Sequence, residues 1–334
     1  MKFKKILVFF NILFIITFLG YSNIKIDAYD SKLDIRGITL KISLIQTAYE
    51  IYNVNILNPD IYTEDLYEEF GKDSYNYYKW LKNTYKDMDP KMVKSLETIF
   101  KSKDSSEYIN SIIKLDDNSD LNTIIYTIIN DESLNLTPSL KKDIEKFFNY
   151  FYNVYFEDYF NKNKNKFSKK VKNLNKVLND CNVDIKKITE NYSGVKLNND
   201  SKSVFYFNLS PISYYEFDLN NTVISTISLD MNNQDFLSLA FHNYSHLIFS
   251  KFKCNDEFNS ISNDNSINKN NNSYMENLIE GFSKFLYYKY FKVVYEYNIY
   301  EYDLDFYNYL KYIDFNSNKI SLKDASITFL KQKN

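Results

Sequence analysis

The stretch LAFHNYSHLIF, residues 239–249, carries both histidines of this 334-residue chain, His242 and His246. On an α-helix, residues four apart stand one turn apart on the same face. Both imidazoles then aim at one point, where a single ion sits about 2 Å from each nitrogen. The next strongly helical stretch, ENLIEGFSKFL, repeats the spacing with Glu276 and Glu280. Two imidazoles and a carboxylate form a recurrent donor set for zinc, and a second carboxylate holds a ligating imidazole by its other nitrogen. Spacing alone also fits two incidental histidines on an amphipathic helix. The paired acids downstream favour the metal reading.

Such a site needs helices at fixed distances and a frame to hold them. Residues 36–190 read as helices. Thr63 precedes EDLYEEF, an N-cap followed by acids in the first turn. Asp89-Pro90 and Thr137-Pro138 each place a capping side chain before a proline at the first helical position. Aromatic residues run almost without break from Phe147 to Phe160, which reads as a buried helix rather than a ligand platform. The lysines of NKNKNKFSKKVKNLNKVL, from Asn161, read as a solvated helix or linker. The pattern changes at Lys202, where SVFYFNLSPISYYEFDLNNTVISTISL alternates β-branched and aromatic residues; two or three strands are expected, with a turn at Asn220-Asn221. Helix returns at Asn233, the expected N-cap of the His helix. An Asn-rich loop, residues 254–273, separates it from the Glu helix, and two shorter helices close the chain.

Composition agrees with this layout. Hydrophobic residues make up 44%, enough for a substantial core, while 5 Gly and 4 Pro are too few for a many-stranded sandwich or barrel. The expected fold class is α+β, mostly α. The expected division is a signal peptide over 1–28, a helical region over 29–200 and a domain over 201–334 that holds a small sheet, the His helix and the Glu helix.

These residues carry a resemblance. HNYSHLIFS is similar to the active-site helix of gluzincin metallopeptidases, and LIEGFSKFL resembles the E-G-F-A-x-Y stretch of their aminopeptidase branch. The wider layout, including LKISLIQTAYEIYNVNILNPDIYTEDLYEEF, resembles a family of secreted bacterial zincins without an assigned substrate. The resemblance implies a zincin fold, a zinc ion, and His242, His246 and Glu280 as its ligands. Glu276 is the alternative ligand, or the carboxylate that orients a histidine. It also implies a tyrosine or histidine that holds an oxyanion; Tyr287, Tyr288, Tyr290, Tyr295 and Tyr297 follow in the right region, and the sequence does not choose among them.

The chain departs from the family pattern at the general base. Asn243 stands where the H-E-x-x-H motif has glutamate. An amide takes no proton from zinc-bound water at neutral pH, and loss of a general base costs on the order of 10²–10⁴ in rate. The expectation is therefore a pseudoprotease that acts by binding, with Asn243→Glu restoring the missing carboxylate. Two other readings stay open: an active zinc hydrolase with a different base, and a metal-free helical interaction protein.

The opening MKFKKILVFFNILFIITFLGYSNIKIDAYD has a basic start, an apolar run from Leu7 to Tyr21 and a small-residue site at Ala28. It reads as a secretory signal, with an N-terminal membrane anchor as the alternative. Cleavage after Ala28 removes four lysines and one aspartate and takes the net charge from −2 to −5. No basic stripe marks a nucleic-acid partner; a peptide or protein ligand is the expected one. Cys181 and Cys254 are too few for a disulfide scaffold and do not by themselves establish a pair.

Overall fold

A computed structural model describes residues 33–181, 183–212, 214–219, 221–253, 255–262, 274–292, 305–313, 315 and 320–333. The expected signal segment, Cys254, Tyr295, Tyr297 and most of the Asn-rich loop lie outside the described residues.

The first described element is a strand, β1 (Leu33–Arg36), and it leads directly into α1 (Leu40–Tyr52). Then come α2 (Glu64–Glu69), α3 (Lys72–Asp87), α4 (Pro90–Ser102), α5 (Ser105–Ile112), α6 (Leu121–Asn130) and α7 (Pro138–Phe151). A π-turn over Tyr152–Phe156 joins α7 to α8 (Glu157–Cys181), and α9 (Ile185–Ser193) ends the helical array. Three strands follow: β2 (Lys202–Phe207), β3 (Glu216–Leu219) and β4 (Thr222–Ile227). The His helix is α10 (Asn233–Phe252) and, after α11 (Asp256–Ser262), the Glu helix is α12 (Tyr274–Phe291). Last are α13 (Asp305–Tyr312) and α14 (Leu322–Lys333). The class is α+β, mostly α, as composition and periodicity implied.

Local chemistry sets these boundaries. Thr63 accepts from the Leu66 amide, Asp89 from that of Lys91 ahead of Pro90, and Thr137 from that of Leu140 ahead of Pro138. The π-turn falls inside the aromatic run, where Phe147, Phe148, Phe151, Phe156 and Phe160 are all buried. The His helix is capped by Asn232, one residue before the expected position; its side-chain oxygen accepts from the amides of Gln234 and Asp235, both at 2.9 Å.

The sheet runs β1-β2-β4-β3. β1, β2 and β4 are parallel, and β3 is antiparallel to β4 at the edge. β1 had no clear sequence signal: it is four residues long and finds its partner far along the chain. It brings the N-terminal region into the same sheet as β2–β4, so strand pairing crosses the division expected at 200/201.

The register decides what each face presents. Ser203 pairs with Val223, Phe205 with Ser225 and Glu216 with Ser225. Side chains alternate along a strand, so Ser203, Phe205, Ser225 and Glu216 share one face. That face receives α10, and Phe205 meets Phe236 of α10 edge-to-face with ring centroids 4.9 Å apart. Tyr206 lies on the other face, where its hydroxyl bonds Asp117 at 2.8 Å and Arg36 at 2.6 Å, beside the buried Lys41 ammonium.

The crossover from β2 to β3 is tied into the helical array. Ser210 donates to the fully buried Glu50 carboxylate at 2.8 Å; the Tyr77 hydroxyl donates at 3.0 Å, and Tyr67 donates to the same group. Burial pushes the Glu50 carboxyl up, the three hydroxyls pull it partly back, and it settles at about 7. Between the ordinary carboxyl value and about 7, the unfolded chain gives up a proton that the folded protein keeps. Stability therefore falls as pH rises through that window, by on the order of 3 kcal/mol. Thermal melts between about pH 4.5 and 7.5 should show this slope in the wild type, and Glu50→Gln should flatten it. An unchanged slope in the variant would mean that Glu50 is ionised in the folded protein throughout.

Candidate metal centre

His242 and His246 share the face of α10 that looks toward β3 and α12. Their Nε2 atoms stand 3.0 Å apart. His242 Nδ1 lies 2.9 Å from Glu280 Oε2. With Nδ1–H donating to that carboxylate, the Nε2 lone pair of His242 faces His246. The Glu280 carboxylate is itself braced by Lys284, whose Nζ is 3.2 Å from Oε1. The two glutamates of α12 thus differ in place. Glu280 sits behind His242, at Nδ1. Glu276 sits in front: its Oε1 is 3.4 Å from His242 Nε2 and 3.7 Å from His246 Nε2. The sequence favoured Glu280 beside the ion with Glu276 as alternative; the geometry gives Glu276 the facing position and Glu280 the orienting one.

A third carboxylate reaches the same point from the sheet. Glu216, on the edge strand β3, has Oε1 2.7 Å from His246 Nε2 and Oε2 3.4 Å from His242 Nε2. Glu216, His242 and His246 offer donor atoms within 4.8 Å of one another, near enough to hold a metal ion. No sequence motif marked Glu216. Its signal is an acid in a short strand, EFDL, on the face that packs against the His helix.

The approach of α12 explains the glycine after Glu280. A Cβ on Gly281 would lie 2.8 Å from Phe306 Cβ and 2.9 Å from the Tyr307 amide nitrogen. Glycine lets α13 close against α12 at the turn that carries both glutamates, where overpacking costs about 1–3 kcal/mol.

Charge and burial act together here. Burial disfavours charge on Glu216, His242, His246 and Glu280. It is outweighed at Glu216 by the two facing imidazoles, which hold that carboxyl well below the usual carboxylate range. Burial likewise disfavours the His242 cation, but Glu216 and Glu280 outweigh it and hold the imidazole well above its ordinary value; Glu216 and Glu276 raise His246 in the same way. Burial also raises Glu280, and His242 with Lys284 brings it below its ordinary value. Side-chain exposure rises from 10% at His242 and 13% at His246 to 25% at Glu276.

Asn243 is turned elsewhere. It is fully buried against the middle of the sheet. Its Oδ1 accepts from Ser225 Oγ at 3.0 Å, and its Nδ2 donates to Ser203 Oγ at 2.7 Å. Ser225 Oγ in turn stands 3.3 Å from the Tyr214 hydroxyl, which donates to Glu216 Oε2 at 2.6 Å. Both ends of the Asn243 amide are therefore spent on the sheet. Tyr214, not singled out in the sequence, is a tyrosine that touches the cluster. Of the downstream candidates, Tyr287 is buried against Phe241 and Phe291, Tyr288 packs against Tyr307, and Tyr290 lies against Phe291.

Comparison with models of known protein families, with curated proteins and with solved structures gives no match.

The setting of Asn243 changes what Asn243→Glu does. A carboxylate at 243 would lie between two serine hydroxyls, closed to solvent, instead of beside metal-bound water. The variant should show no gain in hydrolysis of an unstructured protein substrate. It should lose at least about 1–3 kcal/mol in denaturant unfolding, the cost of a poorly matched buried polar group. A zinc-dependent rise in turnover would contradict this placement.

Proposed function

We propose that this chain is an exported, zinc-binding protein of metallopeptidase-like (zincin) architecture that acts by binding rather than by hydrolysis. The observation that carries the reading is the pair of Nε2 atoms 3.0 Å apart with carboxylates of Glu276 and Glu216 turned to the same point. Two imidazoliums repel at that separation, whereas two neutral imidazoles on one ion adopt it. The element order supports the architecture: strands, then the His helix, then the Glu helix. Nitrogen donors and a small donor set favour zinc over calcium or magnesium, which take six or more oxygens or keep several waters. When bound, zinc supplies Lewis acidity and acidifies water. In this chain His242, His246 and Glu276 would hold it, and Glu280 would fix the ring of His242 through Nδ1. The absence of a base at 243 supports the binding role, and the expected ligand is a peptide or protein outside the cell.

One observation favours a second reading. Glu216 puts a carboxylate beside the Nε2 pair from the sheet side, where a substitute general base would be needed, so an active hydrolase using Glu216 is the alternative.

Elemental analysis of untagged protein tests the metal reading. It should find about one zinc ion per chain, lost in His242→Ala and in His246→Ala, because two remaining donors hold zinc poorly. Glu280→Gln should bind zinc about 10–100-fold more weakly, as loss of a ligand-orienting carboxylate does. Equal metal in wild type and histidine variants would remove the site. Strong zinc-dependent cleavage of peptide libraries by the wild type would replace the binding role with the hydrolase.

A further inference from the structure

The position of Glu216 bears on what kind of metal centre this is. A four-coordinate zinc with bonds of about 2.0–2.1 Å separates neighbouring donor atoms by about 3.3 Å. His242 Nε2 and His246 Nε2 are 3.0 Å apart. Glu276 Oε1 is 3.4 and 3.7 Å from them. Glu216 stands 3.4 Å from the first and 2.7 Å from the second. Glu216 thus reaches both imidazoles, one with each carboxylate oxygen, and with them offers donor atoms within 4.8 Å of one another, while Glu276 approaches the same two nitrogens from α12.

Glu216 is also held in place. Tyr214 donates to its Oε2 at 2.6 Å, and the Tyr214 hydroxyl lies 3.3 Å from Ser225 Oγ. Ser225 donates to Asn243, and Asn243 donates to Ser203 at the centre of the sheet. A base that moves protons between water and a leaving group works from outside the coordination sphere. A carboxylate pinned at ligand distance from both imidazole nitrogens is placed to bind the ion itself. Sites with four protein donors are structural, while hydrolytic sites keep one position for water.

We propose that Glu216 is the fourth protein ligand, closing the coordination position that a hydrolytic centre keeps open, so that the ion staples the edge strand β3 to α10 and α12. This inference rests on the metal reading above and goes beyond it. It makes the centre structural rather than catalytic, and it gives Asn243 a positioning role: through Ser225 and Tyr214 it fixes the fourth ligand.

Cobalt(II) reports on coordination without any turnover. The untagged mature chain is loaded with cobalt, and its visible spectrum is followed while acetohydroxamate, a small metal-binding anion, is added. The wild type should show an intense four-coordinate band that acetohydroxamate leaves unchanged. Glu216→Ala should bind cobalt more weakly, by more than the roughly 10–100-fold expected for loss of an orienting carboxylate, and its spectrum should shift saturably as the anion takes the vacated position. Glu216→Gln keeps the size of the side chain and an acceptor for Tyr214; it should respond in the same direction and carries the test if the alanine variant does not fold. A wild-type spectrum that shifts at the same acetohydroxamate concentration as the variants, with equal cobalt affinity, would overturn the fourth-ligand assignment and leave the metal site standing. A wild type that takes up no cobalt would overturn the metal reading and this inference with it.

Discussion

Three carboxylates and two imidazoles meet in a largely buried place, and their charge has to be balanced there. Glu216, Glu276 and Glu280 bring three negative charges, and Lys284, itself buried, returns one positive charge. Neutral imidazoles leave a deficit of two, which is the charge of one divalent cation. Half-buried carboxylates without such a partner are expensive. In its absence the histidines take up protons in place of the ion, which is the direction in which both are displaced. A proton and a metal ion would compete for one set of nitrogens.

The small sheet makes this convergence possible in a protein that is otherwise helical. Helical spacing alone brings His242 over His246 and Glu276 over Glu280, but it sets neither the distance nor the angle between their helices. The parallel strands β2 and β4 give α10 a flat surface to lie on, and Ser203 and Ser225 clamp it there through Asn243. The antiparallel edge strand β3 then presents Glu216, paired opposite Ser225, to the imidazoles. In the helical array, Glu50 takes Ser210 of the β2–β3 crossover, so the strand that bears Glu216 is anchored at both ends of its approach. Asn243, which lies between the two histidines in sequence, is part of that clamp.

Features that depend on neighbours in sequence were legible beforehand. The caps at Thr63, Asp89 and Thr137, the helical class, the strand-rich stretch after Lys202 and the pairing of histidines and glutamates at helical spacing all follow from local rules. Features set by register or long-range packing were not. Glu216 is one of 43 acidic residues, and its role depends on β3 pairing with β4 so that it shares a face with Ser225. Tyr214 matters only because Glu216 is there. The exchange of places between Glu276 and Glu280 depends on how α12 packs on α10, a contact between elements distant in sequence. The orientation of Asn243 turns on two serines from separate strands, which no motif would mention.

The most direct test is anomalous X-ray diffraction at the zinc absorption edge from crystals of untagged protein purified without chelator. One strong peak is expected about 2 Å from both Nε2 atoms of His242 and His246, in contact with carboxylate oxygens of Glu216 and Glu276, with Glu280 bonded to Nδ1 behind. A cluster without a peak, in which His246 bonds Glu216 directly and the two rings share a proton, would contradict a metal centre at this place.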